Sequence, residues 1–305
     1  LDMSNLINMF VSKGKIQEIN DVLLELLSEN KPEDGPLQTK LLEINLQNAP
    51  DIADTMLSQK MFNQYDHEYI ARLAEEQGLS MRALEHYSSK EDILRVMENF
   101  SGVMDTNFAI SFFSNMDVST TLQCLRLLLQ NEKNVETVVN VAAQFTPNPS
   151  TLESGSEDKL TPEKVVELLE EYDSNIGVYT YLKQIIGLWS GEADLVYKYI
   201  ESAVKCQGSL KQQATVDIET AINQYNYDPV KVREMLKDAG LTDQRPLVLL
   251  CDKHGYIADL THYLYRHNMV QFIEAYVSNI NSYSLPQVIG ALLDDDCPDT
   301  FIQKL

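Results

Sequence analysis

The sequence predicts an all-α protein, a right-handed α-solenoid of about 20 short helices stacked as antiparallel hairpins. Apolar residues recur at helical spacing almost everywhere, and the sustained alternation that marks strands is hard to find. Only 12 of the 305 residues are Gly and 10 are Pro, fewer turn residues than β-sandwiches and barrels usually need. No run is apolar on all sides, as a central helix of a closed globule would be, so we expect hairpins that stack on their neighbours.

Three apolar stripes illustrate the helical spacing, one near the start of the chain and two in its second half. Each stripe places its large apolar side chains three or four residues apart, so that they share one face of a helix. The stripes consist of Ile16, Ile19, Leu23, Leu26 and Leu27; of Val165, Leu168, Leu169 and Tyr172; and of Ile257, Leu260 and Leu264 with Tyr263 beside them.

Capping residues and glycines divide the stripes into separate helices. Thr161-Pro162 and Asp228-Pro229 each place a cap residue before a proline at the first helical position. The segment from Ser88 to Glu91 has the pattern of a capping box. Glycine lies between apolar runs at four further places, where it can adopt the left-handed turn that ends a helix. These glycines are Gly14, Gly78, Gly208 and Gly255.

A polar segment divides the chain into two halves of similar length. Residues 146–160 (TPNPSTLESGSEDKL) contain two prolines, a glycine and few large apolar side chains, which predicts a surface loop or linker. We therefore expect helical regions at 1–145 and 161–305, and their equal size suggests a duplicated unit, although no residue-level register between them is visible. The apolar helical patterns at Leu1 and at 301–305 suggest a segment of a longer protein.

The charge and the cysteines exclude several classes of protein. The formal net charge is −22, whereas binding to nucleic acid or anionic lipid depends mainly on clustered cations. The most apolar window, 122–129, is too short to span a bilayer and contains Gln123 and Arg126. The four cysteines, which lie in apolar helical runs, are too far apart for a zinc or redox motif, so we expect reduced, buried thiols. They are Cys124, Cys206, Cys251 and Cys297.

No catalytic, cofactor-binding or metal-binding residue is predicted. The sequence lacks phosphate-binding glycine patterns and a GxSxG motif. His67-Glu68 begins like a zinc-protease motif, but Ala71 replaces the second histidine, and His262 and His267 are too poorly spaced to share a helix face. We interpret the acidic triplet 294–296 as a capping cluster at a helix boundary. We expect Tyr263, Tyr265 and Tyr276 to pack between hairpins with their hydroxyls at the surface.

Several stretches, in order along nearly the whole chain, resemble the leg of the clathrin heavy-chain family. In the first half they are residues 35–43 (GPLQTKLLE), 49–54 (APDIAD) and 82–87 (RALEHY). In the second half they are 227–232 (YDPVKV), 241–247, 251–253 (CDK), 263–266 (YLYR), 276–277 and 285–297. Each stretch alone is a weak signal, and the ordered set is a strong one.

The resemblance implies two large leg repeats from the distal leg, between the N-terminal propeller and the knee. The first repeat would occupy 1–145, and the second repeat with the start of the next would occupy 161–305. The segment 146–160 is several residues longer than the usual connection in the family, and we expect an insertion there.

The resemblance also implies a function, that of a structural leg rod in a clathrin lattice used for vesicle-mediated transport and endocytosis. Its partners would be the legs of other clathrin heavy chains, with light chains binding elsewhere on the parent chain and neither nucleic acid nor membrane insertion involved. It would lie on the cytosolic face of coated pits and vesicles, without enzymatic activity or cofactors. The alternative is a helical-repeat tether or adaptor of membrane trafficking that holds a partner peptide, which a groove lined with exposed aromatic residues would favour.

Overall fold

A computed structural model describes residues 3–151 and 159–305. These residues form twenty α-helices joined by short turns, and no strand occurs among them. The predicted all-α class and helix number are therefore confirmed. The chain divides into two compact units, residues 1–141 and 142–305, which we call the first and the second unit.

The first unit contains nine complete helices and most of a tenth. Single 3₁₀ turns at Pro32–Asp34 and Glu132–Asn134 precede α3 and α10, and α10 extends past the end of the unit. The helices are α1 (Met3–Ser12), α2 (Ile16–Leu26), α3 (Gly35–Asn48), α4 (Pro50–Ser58), α5 (His67–Glu76), α6 (Ser80–Leu84), α7 (Lys90–Glu98), α8 (Thr106–Phe113), α9 (Val118–Leu128) and α10 (Val135–Phe145).

The second unit contains the remaining ten helices. A π-helical turn, Tyr276–Ile280, continues α18, and 3₁₀ turns occupy Pro149–Thr151 and Ser282–Ser284. The helices are α11 (Pro162–Glu171), α12 (Asn175–Trp189), α13 (Ala193–Lys205), α14 (Gln207–Gln224), α15 (Pro229–Asp238), α16 (Arg245–His254), α17 (Ile257–Arg266), α18 (Val270–Ala275), α19 (Leu285–Asp294) and α20 (Asp299–Ile302).

Within each unit a helix packs mainly against its neighbours along the chain. Consecutive helices such as α3 and α4, or α12 and α13, form antiparallel hairpins, because their connections are too short for any other arrangement. Helices two positions apart also pack together, as in the pairs α3–α5, α7–α9, α13–α15, α14–α16 and α17–α19. This pattern is that of stacked hairpins in an α-solenoid.

The predicted stripes form the core, with one exception. Ile19, Leu23 and Leu27 are buried, but half of Leu26 is exposed. The prediction was wrong for Leu26 because Leu27, one residue later, continues the four-residue spacing and turns Leu26 away from the core. The stripes of α11 and α17 are buried at Val165, Leu168, Leu169, Ile257, Leu260 and Leu264. All four cysteines are buried, as predicted.

Thr161 and Asp228 are the N-cap residues of α11 and α15, as predicted, and the third predicted cap is displaced by one residue. The carboxylate of Asp228 accepts hydrogen bonds from the backbone amides of Val230 and Lys231 at the start of α15. The capping residue of α7 is Ser89, not Ser88, and its hydroxyl accepts from the amide of Asp92. Two adjacent serines offer the same capping chemistry, and the start of the apolar stripe at Ile93 determines which one is used.

Three of the four predicted helix-ending glycines have the left-handed conformation. The φ angles of Gly14, Gly78 and Gly255 are 68°, 76° and 74°. Gly208 lies instead in the first turn of α14, because a single residue, Cys206, separates α13 from α14 and no left-handed turn is needed. Gly240, which the sequence did not single out, ends the turn after α15 with a φ of 58°.

The structure describes only the two ends of the predicted loop 146–160. Helix α10 ends at Phe145, and the Thr146 hydroxyl donates to the carbonyl of Ala142. Residues 152–158 lie outside the described residues. Leu160 is only 3% exposed, so the surface segment ends before it, because Leu160 joins the core beneath the start of α11.

Candidate interaction surfaces

Ion pairs in the first unit join helices that are two positions apart in the chain. Arg82 on α6 binds Asp54 on α4, with 2.8 Å between Nε and Oδ1. Arg95 on α7 binds Glu75 on α5, with 3.0 Å between the guanidinium and the carboxylate. Because helices two positions apart belong to neighbouring hairpins, these pairs connect one hairpin to the next.

The second unit repeats this arrangement with several cations. Lys253 on α16 also donates to the carbonyls of Ile222 and Asn223 at the end of α14, where the helix dipole favours a cation. Exposed pairs contribute about 0–1 kcal/mol each, so we interpret them as fixing the orientation of adjacent hairpins. The pairs are Lys198–Glu170, Lys183–Asp217, Lys231–Asp194, Lys237–Asp259 and Arg245–Glu219, with nitrogen–oxygen distances of 2.5–3.8 Å.

A cleft of about 670 Å³ opens in the first unit beside α6 and α8. Aromatic side chains form part of the walls, and Phe108 and Phe112 on α8 stack with their centroids 5.8 Å apart. We call this feature the α6–α8 cleft. Its principal apolar residues are Phe62, Tyr65, Phe108, Phe112 and Met116.

Charges of both signs line the α6–α8 cleft. Lys60 and Lys90 are its basic residues, and Glu85 and Asp117 are its acidic residues. The cleft is therefore balanced in charge, although the chain as a whole is strongly acidic.

Three rings meet at one wall of this cleft. The Tyr65 hydroxyl lies 3.1 Å from Nε2 of His86, and the rings of His67 and His86 are 4.9 Å apart. Burial, with the nearby His67 and Arg82, lowers the pKa of His86 to about 4. Burial, with the nearby Glu85, raises the pKa of Tyr65 to about 12. Both side chains are therefore neutral at pH 7, and the pair is a neutral hydrogen bond.

The second unit contains a similar tyrosine–histidine pair, with the histidine 27 residues after the tyrosine instead of 21. The Tyr227 hydroxyl lies 2.7 Å from Nε2 of His254, with the rings nearly perpendicular, as for Tyr65 and His86. Tyr65 directly precedes Asp66, which caps α5, and Tyr227 directly precedes Asp228, which caps α15. These helices are the fifth of the series α1–α10 and the fifth of the series α11–α20.

The two tyrosines and the residues that follow them provide a register between the units, in which the two histidines do not correspond. The shared residues are the tyrosine, the capping aspartate, a fully buried β-branched residue and a glycine of positive φ, followed by leucine. Identical spacing relates Tyr65, Asp66, Ile70, Gly78 and Leu79 to Tyr227, Asp228, Val232, Gly240 and Leu241. The pattern YD-x₃-[IV]-x₇-GL is the sequence signal that could have found it.

A buried polar network holds the π-helical turn of the second unit. Oδ1 of Asp252 accepts hydrogen bonds from the Tyr276 hydroxyl and the Asn281 amide, each at 2.7 Å. The Tyr276 hydroxyl is also 3.0 Å from Oγ of Ser284. The prediction of a surface hydroxyl was therefore wrong for Tyr276, because Asp252 provides a partner within the protein. The Tyr263 hydroxyl donates to the carbonyl of Lys237.

This turn belongs to a long uncharged stretch of the chain with some strongly exposed side chains. Residues 275–293 contain no Asp, Glu, Lys, Arg or His, and we call them the uncharged segment. Tyr283, on the 3₁₀ turn before α19, is 94% exposed, and Ile280 is 56% exposed. Tyr283 has the largest exposed fraction among the exposed large apolar side chains of the described residues.

A second groove, of about 590 Å³, lies between α13 and α15. Its floor contains Tyr197, Val204 and Met235, and charged residues of both signs flank it. Nζ of Lys231 lies 4.0 Å above the ring centroid of Tyr197. Through this cation–π contact, the Lys231 side chain of the same chain covers the Tyr197 ring in the groove.

The acidic triplet 294–296 lies at a helix boundary, as predicted, and Asp295 occupies the C-cap position of α19. Asp295, just after α19, accepts from Nδ1 of His262 at 2.7 Å and from Arg266 at 2.6 Å, both on α17. Hydrogen bonds from Arg266 and His262 lower the pKa of the Asp295 carboxyl. The boundary is the C-terminal end of α19, where the helix dipole disfavours anions, and the hydrogen bonds from His262 and Arg266 account for the Asp295 side chain.

In the part of the chain that the structure describes, no metal-binding set is brought together and no membrane-spanning helix occurs. Among residues 3–151 and 159–305, no three His, Cys, Asp or Glu side chains lie close enough to hold a metal ion. Within the same part of the chain, no helix is long and apolar enough to cross a bilayer.

Comparison with known proteins identifies the family. Residues 1–137 and 155–300 match the family described as "Clathrin: Region in Clathrin and VPS". Over the whole chain, the sequence is 36% identical to the clathrin heavy chain of Dictyostelium discoideum, 34% identical to that of Drosophila melanogaster and 36% identical to human clathrin heavy chain 2. The chain spans only 17–18% of the length of these relatives. The chain belongs to the clathrin repeat family, and it corresponds to a segment of a clathrin heavy chain.

Proposed function

We propose that this chain is a structural segment of a vesicle-coat leg, a rod that packs with other legs in a lattice for vesicle-mediated transport and endocytosis. The observation that carries the proposal is the family match across both units. The ion pairs between helices two positions apart support it, because they connect each hairpin to the next, as a stack that resists bending requires.

The mechanism of such a segment is mechanical. Hairpins that share a continuous core resist bending, and surface ion pairs that re-form after small displacements allow limited elasticity. Contacts between legs should be individually weak and numerous, because multivalency then gives a strong lattice that can still be dismantled. No catalytic step or cofactor is part of this proposal.

We also propose that the chain contains two leg repeats of right-handed stacked hairpins, at 1–145 and 161–305, the second followed by the start of another. Two observations support a duplication. The pattern YD-x₃-[IV]-x₇-GL occurs once in each half, and the helices form two series of ten, α1–α10 and α11–α20. The segment 146–160 would be an insertion between the repeats.

The proposed partners are the legs of other clathrin heavy chains, on the cytosolic face of coated pits and vesicles. Light chains would bind elsewhere on the parent chain. Nucleic acid and bilayer insertion have no part in the proposal, consistent with a net charge of −22.

Small-angle scattering from the isolated chain, as a function of concentration, tests the proposal. A leg segment should scatter as an elongated particle, with a radius of gyration well above the ~19 Å of a compact globule of this length. Little dependence on concentration would fit weak contacts that act through multivalency. A compact profile would contradict the leg-rod function.

One observation favours a second candidate function, that of a tether or adaptor that holds a partner peptide. The α6–α8 cleft is lined by aromatic rings and has a volume typical of ligand sites. A 1:1 complex of the isolated chain with a soluble trafficking protein, abolished by a bulky substitution in this cleft, would support the adaptor function over the leg function.

A further inference from the structure

We propose that Tyr283 of one copy docks in the α6–α8 cleft of a second copy of this chain. The inference rests on the proposed leg function and gives it a specific contact. The cleft lies in the first unit and Tyr283 lies in the second, so each copy carries both halves of the contact.

Tyr283 has the properties of an anchor residue. Its side chain is 94% exposed, the largest exposed fraction among the exposed large apolar side chains of the described residues. The turn is not loose, because Asp252 binds Tyr276 and Asn281 on one side and Ser284 is buried on the other. A rigidly presented aromatic residue loses little conformational entropy on binding, which is characteristic of interface hot spots.

Charge favours a contact between these two surfaces. Copies with a net charge of −22 repel each other, so they can approach most readily where the local charge is small. The uncharged segment meets this condition on one side. The α6–α8 cleft meets it on the other, since Lys60 and Lys90 balance Glu85 and Asp117.

The chemistry and size of the cleft fit a tyrosine. The stacked rings of Phe108 and Phe112 and the thioether of Met116 offer partners for a phenol ring. The exposed His67 imidazole offers a hydrogen-bond partner for its hydroxyl. A volume of about 670 Å³ accommodates the ring together with part of the turn that carries it.

A contact of this kind suits an extended array. Because the two surfaces differ, the contact is heterologous, and each copy keeps a free cleft or a free Tyr283 after the first contact forms. Repetition can then link many copies, whereas a symmetric contact would stop at a dimer. We expect a weak single contact, with a Kd on the order of 0.1–1 mM.

The test uses the intact chain and a synthetic peptide of residues 278–287, followed by NMR signals of methionine and isoleucine methyl groups. The peptide should shift the signals of Met116 and Ile93 at the cleft, and the same peptide with Tyr283→Ala should not. Ser111→Trp fills the cleft from an exposed position on α8 and should abolish the shifts. Asn107→Trp, also exposed on α8 but outside the cleft, is the matched control and should retain them.

Two outcomes would overturn the inference. The first is the absence of shifts with the native peptide at millimolar concentration, and the second is undiminished binding by a folded Ser111→Trp chain. Sedimentation of the intact chain separates this inference from the proposed function. Tyr283→Ala should weaken self-association at least threefold, and Leu188→Ala, at another exposed apolar position, should not. If the chain associates but Tyr283→Ala leaves association unchanged, the contact is wrong and the leg function stands.

Discussion

A buried pair of asparagines joins α2 to α3 in the first unit. Asn20 and Asn45 exchange two side-chain hydrogen bonds of 2.7 and 3.0 Å, and the Asn45 amide also donates to the carbonyl of Leu41. Both residues are almost completely buried. Each amide therefore depends on the other for hydrogen bonds that water cannot supply.

We expect Asn45→Ala to lower the free energy of unfolding by about 2–4 kcal/mol, because it leaves the buried Asn20 amide without a partner and creates a cavity. The double variant Asn20→Leu/Asn45→Leu removes both polar groups and should be less destabilised than Asn45→Ala alone. Urea denaturation of the three proteins measures this. A double variant at least as unstable as Asn45→Ala would contradict the role assigned to the pair.

His86 makes the stability of the first unit depend on pH. Its pKa in the folded chain, about 4, lies below the ordinary value of 6.5, so the unfolded chain binds a proton more readily. Stability contributed by the neutral imidazole is complete above pH 6.5 and is lost as pH falls toward 4. Since the ring is only half-buried, we expect a loss of about 1–2 kcal/mol across this window.

Comparison of wild type with His86→Gln isolates this contribution, because the carboxylates titrate alike in both proteins. Glutamine can still accept the Tyr65 hydrogen bond and does not titrate. The difference in unfolding free energy between the two proteins should therefore change between pH 6.5 and 4. A difference that stays constant with pH would show that His86 is not responsible.

At the scale of elements, two glycines should respond in opposite ways to the same substitution. Gly78, after α5, has a φ of 76°, which strains any residue with a Cβ. Gly187 lies in the last turns of α12, where an added Cβ would meet no atom within 4 Å. We expect Gly78→Ala to destabilise the chain by about 1 kcal/mol and Gly187→Ala to stabilise it by about 0.5–1 kcal/mol. Thermal unfolding of both variants measures the difference, and an equal effect of both changes would exclude the conformational explanation.

The elements also show why sequence reasoning succeeds at cores and fails at boundaries. The spacing of Ile19, Leu23 and Leu27 reflects burial directly, because a helix places residues four apart on one face. The roles of Ser89 and Gly208 depend on the length of the connection between one helix and the next. Tertiary packing sets that length, so the local sequence does not reveal it. The role of Asp295 likewise required knowing that α17 packs beside it.

For the whole molecule, the fold was predictable and the surfaces were not. Helical spacing, scarce glycine and similar run lengths are local properties that determine stacked hairpins. The α6–α8 cleft is lined by side chains as far apart in the sequence as Leu57 and Thr120, so it depends on how several helices pack together. The exposure of Tyr283 depends on the network around Asp252, which no local pattern encodes.

The net charge of −22 should oppose association of these chains at neutral pH. Lowering the pH toward the isoelectric point of about 4.5 protonates carboxylates and histidines, and raising the salt screens the remaining repulsion, since the Debye length falls to about 10 Å at 0.1 M. We therefore expect self-association to strengthen from pH 7.5 to 5.5 at low salt, and from low to 0.15 M salt at pH 7.5.

Sedimentation velocity measures both trends, with circular dichroism to verify that the chain stays folded at pH 5.5. The salt series at constant pH separates charge screening from titration of individual groups such as His86. Glu98 and Asp238 provide a further test. Both are exposed carboxylates outside the ion pairs that join helices two positions apart. Glu98→Gln and Asp238→Asn should strengthen association at low salt, whereas Lys13→Gln, which adds net negative charge, should weaken it. Association that is indifferent to pH, salt and these substitutions would mean that contacts between chains are not limited by like-charge repulsion.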